Sequence, residues 1–219
     1  MADVRFSDLW QATVEAIRSD FVYFVGFIVA LTAIWVANDI LMPDSLTLGS
    51  IGSAIITIVG QSVMIRRHLQ RAGISSAASL ADGRYIAVFG ISFLTGLGIL
   101  AGIILLVIPG LFLAARWYLS VPAMFGENSG VTEGIGSSWR ASEAHFFQIL
   151  TLMLLTAVPM LIVFVFLWVE TNPELPLNLV ESFLGNLAVA VTTVTGWLAA
   201  VSSYHVIKGG DAQAREIFG

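Results

Sequence analysis

The chain has 219 residues, of which 57% are hydrophobic and only 11% charged, at a mean hydropathy of +0.88. A soluble domain carries about twice that charged fraction, and a net charge of −5 without a dense basic cluster offers nucleic acid no footing. The absence of cysteine excludes disulfides, thiolate metal sites and cysteine nucleophiles.

The first twenty residues mix Arg5 and Arg18 with Asp3, Asp8, Glu15 and Asp20, while Phe6, Trp10, Val14, Ile17 and Phe21 recur every three or four positions. That spacing predicts an amphipathic helix lying in a membrane interface. It does not fit a cleavable signal, so the first span is expected to stay in the mature protein. Apolar stretches follow at Phe21–Asn38, Leu46–Ile65, Tyr85–Val107, Leu111–Phe125, His145–Val169 and Ser182–Ile207. About 20 apolar residues cross a hydrocarbon core roughly 30 Å thick, so each reads as a bilayer span. From Tyr85 to Phe125 the one charge is Arg116. An unbroken helix of that length would measure about 60 Å, so the chain is expected to turn at Ile108-Pro109-Gly110, where proline removes a donor and glycine permits a tight turn. Val131, Ile135, Trp139 and Phe146 predict a second interfacial helix.

The expected fold is therefore all-α: one polytopic membrane domain over residues 1–219, with six transmembrane helices as three hairpins plus interfacial amphipathic helices. An acid followed by an aromatic precedes each hairpin (Asp20-Phe21, Asp82 before Tyr85, Glu143 before Phe146), which raises a threefold repeat. The plainer reading, that membrane hairpins share this look, weighs more.

Nine of the ten Lys and Arg residues fall on one side of this layout: Arg5, Arg18, Arg66, Arg67, Arg71, Arg84, Arg140, Lys208 and Arg215. The intervening loops hold Asp39, Asp44, Glu170, Glu174 and Glu181 and no base. Short-loop basic bias sets orientation, which puts both termini in the cytoplasm of a multi-pass protein; an odd number of spans would put basic loops on both sides.

Lipid tails give helices no hydrophobic reason to associate, so small residues are expected at helix contacts. Gly49, Ser53, Thr57 and Gly60 form such a stripe, as do Thr95, Gly98 and Gly102, and Ala188, Thr192, Gly196 and Ala200. A substrate path or dimer seam is the less favoured reading of the same stripes.

Arg116 is the principal candidate functional residue. It lies about five residues, roughly 8 Å, below the expected turn, where a cation must snorkel or find a partner. Asp39, Glu170, Glu181 and Asn186 are its expected partners, and Gln61 is a further polar candidate inside a span. A structural ion pair is the blander and favoured account. Arg66, Arg67 and Arg71 form a candidate headgroup-binding group, worth about 1 kcal/mol per cation near an anionic surface. His68, His145 and His205 all fall near one end of the spans, but no ligand spacing links them, so no metal site is expected. Ser92 with His205 lacks the pattern of an intramembrane serine protease. Asp82-Gly83-Arg84 lacks the further aspartates a lipid-phosphate transferase needs. No catalytic residue or cofactor site is expected.

Ile108-Pro109-Gly110, Arg116-Trp117, Val121-Pro122-Ala123, Glu127, and the run from Gly134 through Ser137-Ser138-Trp139-Arg140 resemble a bacterial family. It comprises the membrane domain attached to some glycerophosphoryl diester phosphodiesterases and related stand-alone inner-membrane proteins. The resemblance covers the central third and implies a multispan inner-membrane protein without catalytic residues of its own. About a dozen residues follow the sixth span, so the phosphodiesterase activity is not expected here. The favoured function is a non-enzymatic lipid-interacting or scaffold module of the bacterial cytoplasmic membrane. Its expected partners are membrane lipids, including anionic headgroups, and a membrane-protein partner or second copy. The alternative is a small transporter or lipid flippase with Arg116 in the translocation path.

Overall fold

The computed structural model describes residues 4–41, 48–73, 84–170 and 178–218. These residues are 90% helical, without a strand: α1 (Phe6–Ser19), α2 (Phe21–Leu41), α3 (Leu48–Arg71), α4 (Tyr85–Leu105), α5 (Val107–Trp117), α6 (Ser120–Gly126), α7 (Val131–Ala141), α8 (Phe146–Glu170) and α9 (Leu179–Phe218). Five stretches are long and apolar enough to cross a membrane, as in a multi-pass membrane protein: Phe21–Leu41, Tyr85–Leu105, Val107–Gly126, Phe146–Phe166 and Leu179–Gly210. The second expected span corresponds to α3, which is not among the five. Its start at Leu46 lies outside the described residues, and its last turns carry Arg66, Arg67, His68 and Arg71.

The distribution of apolar side chains is inverted relative to a water-soluble protein. Phe89, Phe93, Leu97, Leu100 and Ile104 on α4 and Leu161, Ile162, Phe164 and Phe166 on α8 are exposed. An apolar exterior of this kind is consistent with a hydrocarbon solvent. The interior is built on α9, whose Ala190, Val194, Leu198, Ala199 and Val201 are fully buried, with α1, α2, α3 and α8 packed around it. The small residues do what the packing reading expects. Gly60 sits against Phe27 and Trp197, Gly98 against the Trp117 ring, and Gly102 against the backbone of Gly110. The Gly102–Gly110 and Gly98–Trp117 pairs show that α4 and α5 run antiparallel and nearly in backbone contact.

The chain turns earlier than the Pro-Gly signal predicts. The break is Leu106, extended at φ −164 and ψ 143, and Pro109 and Gly110 lie in the first turn of α5. Proline is tolerated there because the first helical N–H groups have no intrahelical partner. The same logic places Pro122 in the first turn of α6, after a break at Tyr118–Leu119. Pro159, by contrast, lies inside α8 without interrupting it.

Both expected amphipathic helices are present, but each has a second face. In α1 the residues buried against the bundle are Leu9, Thr13 and Ala16, with the Thr13 hydroxyl 3.2 Å from that of Ser202 on α9. The predicted stripe of Phe6, Trp10, Val14 and Ile17 is half-buried or exposed. In α7, Gly134, Ser137 and Ser138 face the protein, while Val131, Ile135 and Trp139 are half-buried. The most buried face is Leu9, Thr13 and Ala16 in α1 and small residues in α7, and the predicted stripes flank it, partly buried. The segment preceding α4, on which the threefold repeat depends, lies outside the described residues.

Candidate functional site

The helix ends collect polar contacts into two layers, one at the end that holds α1 and one around Asp39. At the end that holds α1, the carboxylate of Asp20 is 2% exposed. It sits at the α1–α2 junction and accepts a 2.9 Å bond from Arg67 Nε and a second bond from Arg71 Nη1, which also reaches the Ser19 carbonyl at 3.1 Å. Arg67 further stacks on Tyr23, 3.7 Å from the ring centre. Arg66 is buried, with its guanidinium 4.7 Å from the Phe125 ring centre and 5.7 Å from that of Tyr85. The three arginines are therefore not equivalent surface cations: one is packed on aromatic rings, and two share a buried acid.

Across the same layer, Glu127 Oε1 accepts from Lys208 Nζ at 2.7 Å, from Ser137 at 2.6 Å and, more distantly, from the Tyr204 hydroxyl. Burial pushes the Glu127 carboxyl up, but the bonds from Lys208 and Ser137 and the charges of Lys208 and Arg140 outweigh it. Its pKa falls below the ordinary value of 4.5. Arg84 donates to Asn128, whose positive φ of 53° closes α6, and to the Ser129 carbonyl. These contacts fasten α6, α7 and α9 to one another and to the start of α4.

His68 and His205 meet edge to face with ring centres 6.4 Å apart. They line a cavity of about 520 Å³ between α1, α3 and α9, together with Glu15, Ser19, Arg71 and Ser202. Burial first, and His205 second, pull the His68 imidazole below its ordinary 6.5. His145 is not in this group, and no cluster of three His, Asp or Glu residues able to hold a metal ion occurs among the described residues.

Arg116 does not meet its expected partners. With the turn at Leu106 it lies about ten residues, roughly 15 Å, along α5, while Asp39, Ser182 and Asn186 form their own cluster at the far end. Asp39 Oδ2 accepts from Ser182 at 2.6 Å and from Asn186 at 2.7 Å, and Glu181 caps the backbone of Asn178. The Glu170 side chain lies outside the described residues. Arg116 is buried, 8% exposed, with its guanidinium 4.4 Å from the Trp139 ring centre and 5.8 Å from that of Phe112. Its Nε is buried without a hydrogen-bond partner. Ring faces attract a cation by about 2 kcal/mol when desolvated, which supports a buried guanidinium that has no carboxylate partner among the described residues.

The break below Arg116 is closed by α7. The Ser138 hydroxyl donates to the Arg116 carbonyl at 2.8 Å and accepts from the Leu119 N–H at 3.1 Å, and Ser142 donates to the same carbonyl. Gly134 lets α7 approach Met124 and the Ser120 carbonyl. Arg116, Glu127, Gly134, Ser137, Ser138 and Trp139, singled out by resemblance, are thus one packed unit. Gln61 is half-buried in α3, beside Gly60. Sequence reading missed the Glu127–Lys208, Asp20–Arg71 and His68–His205 pairings, whose members are far apart in the chain and share no local spacing. No family model, curated protein or solved structure matches the chain.

Proposed function

We propose that the chain is a six-span integral protein of a bacterial cytoplasmic membrane, threaded as three hairpins with both termini cytoplasmic. In this reading it acts without catalysis, as a lipid-interacting or accessory module of the kind its central motif resembles. The observation that carries the reading is the form of α1 and α7. α1 docks through Leu9, Thr13 and Ala16 and α7 through Gly134, Ser137 and Ser138, and Trp10 and Trp139 stay exposed or half-buried beside the layer of Asp20, Arg67, Arg71, Glu127 and Lys208. Amphipathic helices with aromatic edges beside basic residues suit the headgroup region of a bilayer. The ordered cations act there as braces, and the packed unit around Arg116 fixes the helix break.

A second reading, a small transporter or flippase, draws on Arg116 itself, a buried cation with an unpartnered Nε. Two measurements decide. Reporter fusions after Asp44 and after Glu174 are expected to read as external, and an internal signal from either overturns the topology. Purified protein in phosphatidylcholine vesicles is expected to leave the rate of fluorescent-lipid exchange between leaflets at the protein-free level. Exchange that the protein accelerates and Arg116→Leu abolishes would replace the accessory reading with transport.

A further inference from the structure

We propose that the cleft between α1, α3 and α9 binds a phosphodiester anion, held by His68, His205 and Arg71. The cavity, at about 520 Å³, is of the size that encloses a headgroup-sized ligand. Its polar groups are mostly donors or groups that become donors on protonation: two imidazoles 6.4 Å apart and a guanidinium. Arg71 uses Nη1 on Ser19 and Asp20, and its Nε and Nη2 are uncommitted among the described residues. A guanidinium beside the imidazoles repels a metal dication and favours an oxyanion. The remaining wall is small and apolar, with Ala16, Ala72 and Val206, and open space lies where a side chain on Gly209 would project. That combination of an anion-binding end and an apolar wall fits the phosphate and glyceryl portion of a lipid.

The choice of a phosphodiester rests on the membrane reading proposed above. The apolar part of α3 ends at Ile65, less than one turn before His68, so the cleft lies where that helix leaves the hydrocarbon. Phosphates of a bilayer occupy that level. The same anion could come from a soluble phosphodiester.

Binding should take up protons. The groups facing His68 are Glu15 from α1, Asp20 from the α1–α2 junction, Arg71 from its own helix and His205 from α9. Burial and His205 pull the His68 imidazole below its ordinary value and so favour its neutral form. An anion between the rings favours the imidazolium, so affinity rises as pH falls, by up to about tenfold per pH unit for each proton linked.

The test uses the full chain in maltoside micelles and two probes: soluble glycerophosphoglycerol followed by titration calorimetry, and phosphatidylglycerol retention followed by native mass spectrometry. A phosphodiester keeps one negative charge between about pH 6 and about pH 8, so any pH dependence belongs to the protein. Binding is expected to be at least about tenfold tighter at the lower pH. His68→Gln and His205→Gln should each weaken it, and His68→Gln should flatten the pH dependence. Glu15→Gln, which removes an exposed carboxylate from the rim, should tighten it several-fold, a gain that misfolding cannot imitate. Binding of the soluble probe without the lipid keeps the cleft and overturns the lipid-module reading. Lipid retained equally by wild type and both histidine variants keeps that reading and overturns the cleft. Failure of both probes to bind overturns the cleft outright.

Discussion

At the end where α1 meets α2, charges are tied across helices: Asp20 to Arg67 and Arg71, Glu127 to Lys208, and Arg84 to Asn128. At the opposite end the carboxylate of Asp39 takes neutral donors, Ser182 and Asn186, and α4 passes into α5 through the single residue Leu106. The difference follows from what each layer has to hold. The first must fasten two extra helices, α1 and α7, to the ends of spans, and it draws on the cations whose one-sided placement orients a membrane protein. The second holds α2 to α9 through neutral donors, while α4 and α5 meet through the close approach of Gly102 and Gly110. On the proposed topology, the cations that would direct orientation are, at one end, also residues that tie helices together.

The largest expected effect breaks that contrast at its strongest point. Arg67→Gln with Arg71→Gln leaves the buried Asp20 carboxylate without a cation. Removing one side of a buried ion pair costs on the order of 3 kcal/mol, taken from the low end of the range because the arginines are 31% and 45% exposed. Denaturant unfolding in detergent should show that loss, and adding Asp20→Asn should recover more than half of it. A double variant as stable as wild type would mean that the braces hold nothing.

How far this contrast was legible in the sequence differs by layer. The basic asymmetry is readable because it belongs to short loops, each a local feature. The amphipathic helices are readable from aromatic spacing, yet their docking faces are not, since Thr13, Ala16, Gly134 and Ser138 carry no hydrophobic signal. Pro109-Gly110 announces a turn, but a proline suits the first turn of the next helix, so the break falls upstream at Leu106. Arg66, Arg67 and Arg71 are adjacent in sequence, but the pairing of Arg67 and Arg71 with Asp20 could not be read there because Asp20 lies at another helix junction. His68 and His205 looked unrelated for the same reason.

A smaller effect sharpens the comparison from the far end. Asp39→Ala removes the acceptor for Ser182 and Asn186, and hydrogen bonds to a charged group at an exposed site such as this are worth about 1 kcal/mol in total after solvent compensation. The same unfolding measurement should therefore register a loss well below that of the arginine pair. An equal or larger loss would mean that both layers carry comparable weight.

The smallest expected effect concerns Glu127 and is visible chiefly in its pH dependence. Its folded pKa is depressed below 4.5 because Lys208, Ser137 and Arg140 together outweigh burial. A depressed carboxylate contributes stability that is present above the unfolded pKa and is lost as pH falls through the folded one. With side chains 29% and 39% exposed, the Glu127–Lys208 pair is screened and contributes under about 1 kcal/mol. Melting temperatures of wild type and Glu127→Gln should thus differ slightly at neutral pH and converge as the medium is acidified below 4.5. A gap that persists unchanged into acid would show that the substitution acts through something other than the loss of the Glu127 charge.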